Sequence, residues 1–203
     1  MRTDKGLNEG SLSLEEAIFT RRTVREFQPK PIPRELIEKV IEAGATAPSA
    51  LNSQPWRFMV VAGEKRDELV KILRKFPAYL ADILALYPKE AEYISEESIT
   101  DFAKDLGRAP VVVIVYMAKK RSDYAQKIDL LGCGAAIQNM QLTAWSLGLG
   151  SVCLTSTLWI ESEIMVHLGL KDFELVTVLP MGYPVAEPTV IPRNPDVTTW
   201  IGL

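Results

Sequence analysis

Two short polar segments hold the residues of this chain whose types and spacing could do chemistry. The first, Arg21 to Arg25, places three cations and a hydroxyl within five residues, and the second, Pro48 to Trp56, offers a hydroxyl and two amides at Ser49, Asn52 and Gln54. Guanidinium forks grip phosphate oxygens bidentately. Hydroxyl, amide and loop backbone groups suit the hydrogen-bonding edges of a flat heterocycle. The two segments together predict a site for a phosphorylated aromatic cofactor.

The bulk composition limits the class of protein. The chain has 203 residues, of which 47% are hydrophobic and 24% charged, as expected for one globular domain over residues 1–203. The net charge of −3 does not indicate a surface for polyanions, so we expect no nucleic-acid partner, and the three arginines form a local cluster. No apolar run has the length of a membrane span, so we expect no membrane partner.

The sulfur and imidazole groups argue against a metal site. The two cysteines, Cys133 and Cys153, lack the spacing of a zinc or redox motif, and the chain has a single histidine, His167. We therefore expect no bound metal. Two scattered cysteines also fit a reducing compartment, which favours a cytoplasmic location.

Alternating helix and strand patterns supply the elements that must position the two segments. Ser13 followed by Glu16 has the spacing of a capping box and predicts a short helix ending near Thr20. The periodicity predicts further helices after Pro33 and over 65–75, 125–147 and 162–168. Apolar runs predict strands over 57–62, 110–117, 151–154 and 175–181.

Three stretches break these patterns. Residues 1–12 are polar and predict a loose arm. Residues 76–108 combine prolines, tyrosines and a dense acidic run, which predicts a lid over the site. Residues 184–203 carry Pro184, Pro188, Pro192 and Pro195 and predict an extended tail.

Four motifs in order resemble the nitroreductase family of FMN-dependent oxidoreductases. They are residues 21–27, residues 47–56, Gly134-Ala135-Ala136-Ile137-Gln138-Asn139-Met140, and Leu179-Pro180-Met181-Gly182-Tyr183-Pro184, the last preceding Arg193-Asn194-Pro195. The resemblance extends from about Ser13 to Trp200. It implies an α/β (α+β) fold with a mixed central sheet flanked by helices, in an intertwined homodimer with FMN at its interface.

The resemblance also implies which residues hold the flavin. The segment that holds the phosphate and the pyrimidine edge corresponds to Arg21, Arg22, Thr23 and Arg25. The partner-subunit segment that borders the ring corresponds to Pro48, Ser49, Ala50 and Asn52, with Gln54 beside them. Arg193 corresponds to a cation near the C-terminus that meets the phosphate.

The segment Leu154-Thr155-Ser156-Thr157 lacks the Pro-x-Glu-Gly of many bacterial nitroreductases. It resembles instead the Thr-rich segment of the iodotyrosine deiodinase branch, in which a hydroxyl bonds flavin N5. That resemblance makes Thr155 and Thr157 candidate flavin contacts. It also makes Tyr93 and Lys104 candidate substrate contacts from the lid, whereas the glutamate of that lid has no clear counterpart in this chain.

The expected function is therefore NAD(P)H-dependent reduction of a small acceptor, such as a nitroaromatic compound or a quinone, by alternating hydride transfer through FMN. The flavin carries the electron chemistry, so no catalytic side chain is expected. Three alternatives stay open: a reductive dehalogenase of the deiodinase kind, a flavin-binding module without turnover, and an enzyme that consumes its own FMN.

Two features have a purely structural alternative. The arginines could be cations at a helix C-terminus, where they interact favourably with the helix dipole. The small residues of Gly132–Ala136 could pack on the chain's own sheet, although the resemblance places them at a dimer interface.

Overall fold

The computed structural model describes residues 12–89, 95–120 and 122–202. A four-stranded sheet forms its centre, with strands in the order β1-β2-β4-β3. The strands are β1 (Trp56–Ala62), β2 (Val111–Ala118), β3 (Gly150–Ser151) and β4 (Phe173–Gly182). The helices are α1 (Leu14–Thr20), α2 (Arg34–Ala45), α3 (Gly63–Leu73), α4 (Leu80–Leu86), α5 (Glu96–Asp105), α6 (Asp123–Ser146) and α7 (Glu161–His167).

The sheet is mixed only at its edge. All pairings among the four strands are antiparallel, and one parallel bridge joins Thr23 to Ser151 beside β3. The residues after α1 therefore run along the sheet edge. This arrangement brings the first polar segment against the strand region that precedes Thr155.

Strand β2 is buried on both faces, which explains its unbroken run of β-branched residues. Val112 and Ile114 point into a core formed largely by residues of α3, α5 and α7. Val111 and Val113 point into a second core formed with α2 and α6. The sheet is thus a middle layer between two helix layers, and the expected sheet flanked by helices is confirmed.

The capping box predicted at the first helix is present in full. The Ser13 hydroxyl accepts from the Glu16 amide at 3.2 Å, and the Ser13 amide donates to the Glu16 carboxylate at 2.8 Å. These bonds satisfy two donors that a helix start otherwise leaves unpaired. They fix where α1 begins and hence where the cationic segment leaves it.

The expected lid, residues 76–108, is in part scaffold. Phe76, Phe102 and Leu106 are almost fully buried within the same core as β2. Both ends of the segment are therefore anchored in the core, because large apolar residues at these ends are buried there. The exposed helix α4 is compatible with a lid, which stays a prediction for the middle of the segment.

The tail is extended, as its prolines predict. Residues 185–202 form neither helix nor strand and are mostly exposed. The expected loose arm lies outside the described residues except for Leu12. In the described parts of the chain, no helix is long and apolar enough to cross a membrane, and no cluster of metal-ligating side chains occurs.

Candidate functional site

The cationic segment is an extended stretch held at the sheet edge. The Val24 amide donates to the Ser151 carbonyl at 3.1 Å, and the Phe27 amide donates to the Gly107 carbonyl at 2.8 Å. The side chains of Val24 and Phe27 are buried in the core. Because Val24 and Phe27 point into the core, the polar side chains of the same segment face a cavity on the outer side.

That cavity has a volume of about 1190 Å³. Its walls are the segment 22–26, one face of α5 and the tail from 186 to 193. Arg22, Thr23, Arg25 and Arg193 all line it. Of the residues predicted to hold a phosphate, only Arg21 lies outside this lining, and it stands directly beside it. The structure therefore brings together cations that are about 170 positions apart in sequence.

Arg21 lies among other cations. Burial lowers its pKa first, and repulsion from Arg193 and Arg22 lowers it further. Three guanidinium groups that repel each other at close range favour an anion between them, because an anion converts each repulsion into an attraction. A phosphate, which accepts bidentate bonds from guanidinium groups, matches this arrangement.

Arg22 has a double role. One terminal nitrogen donates to the carbonyls of Phe19 and Arg21 at 2.8 Å each, so this side chain does cap the end of α1. The alternative of a helix-end cation is correct to that extent. Its Nε is buried, however, and has no partner among the described residues. An unpaired buried donor is costly, so Nε is suited to an acceptor that is not part of this chain.

Arg25 lines the cavity, and desolvation by its surroundings lowers its pKa. The opposite wall is acidic, because Glu97, Asp101 and Asp105 project from α5 into the same space. Sequence reasoning missed these carboxylates as site residues. The acidic run predicts only part of a lid, and the spacing of four residues, which puts the three carboxylates on one side of a helix, is the signal that could have indicated a shared wall.

The second polar segment is a separate, exposed loop. Leu51, Asn52 and Gln54 all have positive φ, between 45° and 57°, and the Leu51 side chain is fully exposed. The Gln54 amide donates to the Ser49 hydroxyl at 2.9 Å, and the Gln54 side chain donates to Asn52 Oδ1 at 3.1 Å. Left-handed backbone at residues with side chains costs energy and concentrates at functional sites.

Within one chain this loop does not join the cations. No residue of 48–54, which includes the predicted contacts Pro48 and Ala50, is among the described residues that line the cavity. The loop instead packs on α6, where Gly132 stands 3.4 Å, measured from an ideal β-carbon, from Ser49.

The two predicted threonines differ sharply. Thr157 is fully buried, and its hydroxyl donates to the Leu154 carbonyl at 2.6 Å. Thr155 is exposed at the start of the 3₁₀ helix Thr155–Ile160. Of the two, only Thr155 offers its hydroxyl to the surface, and it does not line the cavity of the cations.

Of the two predicted substrate contacts, Lys104 is not brought to the cavity. Lys104 is exposed on α5 and pairs with Asp101, and this hydrogen bond raises the pKa of the lysine. It is Asp101, not Lys104, that lines the cavity. Tyr93 lies outside the described residues.

Comparison with known proteins places this geometry in a family. A sequence model described as "Nitroreductase family" matches residues 18–183. The Bacillus subtilis protein YfhC, which is classed by name among NAD(P)H nitroreductases, is 29% identical over 184 residues, covering 90% of each chain. An iodotyrosine deiodinase of Thermotoga neapolitana is 28% identical and covers 86% of this chain and 90% of its own.

A solved structure shares the fold. The FMN and NADPH-dependent nitroreductase NfnB from Sphigopyxis sp. strain HMH superposes with a TM-score of 0.77 at 24% identity, covering 95% of this chain and 100% of that one.

Proposed function

The chain belongs to the nitroreductase family, and on that premise we propose that it is an FMN-dependent oxidoreductase that uses NAD(P)H to reduce a small acceptor such as a nitroaromatic compound or a quinone. The observation that carries the proposal is the cavity lined by both Arg22 and Arg193, with Arg21 beside it and the buried Nε of Arg22 unpaired. Such a cluster of guanidinium groups favours a bound phosphate. The proposal includes a cytoplasmic location and only small molecules as substrates.

In this proposal the chain's own residues bind and orient the cofactor. Arg21, Arg22 and Arg193 hold its phosphate, with Thr23 as a further donor. Arg25, which lines the same cavity, holds the edge of the ring at which negative charge develops. A cation placed there stabilises that charge. The exposed hydroxyl of Thr155 borders the ring, whereas the buried Thr157 supports the turn.

FMN, when bound, would supply hydride transfer between NAD(P)H and the acceptor. The two substrates would use the same open face in turn. Helix α5 forms one wall of the cavity. The acid residues on that wall repel anionic acceptors, so neutral aromatic acceptors are favoured.

We propose further that the second polar loop acts from a partner subunit. The backbone of Leu51, Asn52 and Gln54 is left-handed and exposed, and it does not line the cavity of its own chain. On α6 the exposed residues Tyr124, Leu131 and Gly134 share one face, since they recur at helical spacing. A homodimer built on this face would cover the apolar side chains. It would also bring Pro48, Ser49, Ala50, Asn52 and Gln54 of one subunit toward the cations of the other.

The second candidate function is reductive dehalogenation of a halogenated phenol. It is favoured by the exposed Thr155 in place of a Pro-x-Glu-Gly segment, together with the deiodinase relative. The pairing of Lys104 with Asp101 counts against a direct transfer of the deiodinase substrate contacts.

The experiment that tests the proposal uses the purified full chain. The cofactor is released by heat and identified, and NADH and NADPH oxidation is followed with a nitroaromatic compound, a quinone and a halophenol. FMN with rapid acceptor-dependent oxidation supports the main proposal, and halide release identifies the dehalogenase. FMN without turnover would leave a binding module, and FAD or no flavin would contradict the proposal.

A further inference from the structure

Among the described residues, Arg66 is the buried cation with the most hydrogen bonds and ion pairs. It lies on α3 with 8% of its surface exposed. Its Nε donates to the Ala109 carbonyl at 3.0 Å, and one terminal nitrogen donates to the Asp105 carbonyl at 2.5 Å. The other terminal nitrogen pairs with the carboxylates of Asp105 and Asp67. The guanidinium therefore holds both ends of the turn between residues 105 and 109.

That turn is strained. Leu106, Gly107 and Arg108 have φ values of 46°, 59° and 67°, three successive residues in left-handed backbone. Two of the three carry side chains that disfavour this conformation. Such backbone persists only where its surroundings hold it, and it is concentrated at functional sites. Arg66 supplies that restraint because it bonds the carbonyls that flank the turn on each side.

The turn supports the cationic segment directly. A β-carbon at Gly107 would lie 1.9 Å from the Arg25 carbonyl oxygen, so the two backbones are in contact. The Gly107 carbonyl accepts from the Phe27 amide at 2.8 Å, and Arg108 pairs with Glu26 at 3.2 Å. Asp105, Gly107 and Arg108 also line the cavity beside Arg25.

We propose that Arg66 is a positioning residue of the cofactor site, which sets the place of Arg25 by holding the 105–109 turn against the cationic segment. The inference rests on the proposed function, because it assigns Arg25 to the cofactor. Arg66 does not line the cavity and acts only through the turn. Its fork geometry is essential to this role, since a carboxylate and two carbonyls at different angles must be bonded at once.

The test is Arg66→Lys, which keeps the charge but cannot bond all three acceptors. The matched control is Lys75→Gln, which breaks the Lys75–Glu163 pair just beyond α3 without touching the turn. Amide hydrogen exchange is measured on the flavin-free protein, and FMN affinity is measured by titration. Three amides of one segment are compared: Phe27, bonded to Gly107, against Val24, bonded to Ser151, and Gln28, bonded to Tyr183.

We expect Arg66→Lys to speed exchange at Phe27 by about tenfold or more, while exchange at Val24 and Gln28 changes little, and to raise the FMN dissociation constant by about tenfold or more. The control should leave both quantities near wild type. Unchanged Phe27 exchange, or equal acceleration at all three amides, would overturn the proposal, since the second outcome describes general loosening.

If wild-type protein binds no FMN, the proposed function fails, while the Phe27 exchange rate still decides whether Arg66 holds the segment. If Arg66→Lys does not fold, Asp105→Asn provides the same comparison, because it removes the carboxylate charge that holds the Arg66 guanidinium against both carbonyls. Selective acceleration at Phe27 in that variant supports the proposal, and its absence contradicts it.

Discussion

Gly150 lies so close to Val24 that a β-carbon on the glycine would come within 2.5 Å of the valine side chain. The contact joins the edge strand β3 to the cationic segment, beside the bond from the Val24 amide to Ser151. Only a residue without a side chain allows the segment to lie this near the sheet.

Gly150→Ala should therefore displace Val24 and, with it, the arginines on either side. We expect FMN affinity to fall by about tenfold or more. The free energy of unfolding should change proportionally less than the free energy of FMN binding. FMN titration and thermal unfolding check this. Wild-type affinity in Gly150→Ala would show that the contact does not position the site.

Arg25→Gln and Arg193→Gln should each weaken FMN binding by about tenfold or more, because loss of a charge-assisted hydrogen bond typically costs about 1.5–3 kcal/mol. Equilibrium titration of the flavin-free protein measures the effect. Arg34→Gln is the control, since Arg34 is exposed and pairs only with Glu38 on its own helix. If either variant binds as tightly as the control, that residue does not belong to the site.

Gly134→Leu should disrupt the proposed dimer while leaving the single chain folded. Among the described residues, nothing lies within 4 Å of a β-carbon at this position, so we expect the larger side chain to clash with a second subunit. Analytical ultracentrifugation should detect monomer without bound flavin. The control variant Lys71→Leu places the same apolar side chain on the exposed side of α3, and this protein should remain a dimer. A flavin-bound Gly134→Leu dimer would contradict the proposed interface.

Cys133 should make the stability of the folded protein depend on pH in the alkaline range. Burial, followed by the charges of Asp129 and Glu174, raises its pKa from 9.0 to about 11. The unfolded chain then loses the thiol proton first as pH rises, so the stability due to this group is present below pH 9 and is lost toward pH 11. The loss amounts to about 2–3 kcal/mol.

Urea unfolding at several pH values from 8 to 11 checks this. Cys133→Ala should show a shallower decline than wild type, although it is less stable at pH 8. Ala136→Gly, which removes a methyl group from the same side of α6 without a titrating group, should keep the wild-type slope. Equal slopes in all three proteins would remove Cys133 as the cause.

Replacing all of residues 76–108 with a linker should abolish folding, because Phe76, Phe102 and Leu106 are buried in the main core. Replacing only residues 87–95, between the ends of α4 and α5, should leave a flavin-binding protein with a changed acceptor preference. Flavin content and the acceptor panel measure both results. If the acceptor preference is unchanged, the residues that determine it lie elsewhere, around Thr155.

Much of the fold could be predicted because its signals are local. The long helix expected over 125–147 is Asp123–Ser146, and the strand expected over 110–117 is Val111–Ala118. Periodicity and a run of β-branched residues are enough for both. The small residues of Gly132–Ala136 show what such local signals cannot predict. Gly132, Cys133 and Ala136 pack within the chain, whereas Gly134 faces outward, and composition alone cannot separate the two faces.

The site was predictable where it depends on residue type and not where it depends on backbone conformation. The arginine cluster is visible in the sequence, and Arg193 joins it in space. The left-handed turn at 106–108 and the contact of Gly107 with Arg25 depend on contacts between distant segments. Arg66 resembled an ordinary surface cation because a charged helix has many of them, and only its burial and its bonds to Asp105 and Ala109 distinguish it.

The tail is a short polymer tether that carries Arg193. Its departure point is fixed, because the Val185 amide donates to the Glu26 carbonyl and the Gln28 side chain donates to the Pro184 carbonyl. Arg193 follows eight positions later, a tether that spans at most about 28 Å. So short a tether keeps the guanidinium at an effective concentration in roughly the millimolar range around Arg21. The tether includes Pro188 and Pro192, which stiffen it. The length and stiffness of this tether can therefore change how tightly Arg193 binds an anion, even though every charge in the site stays the same.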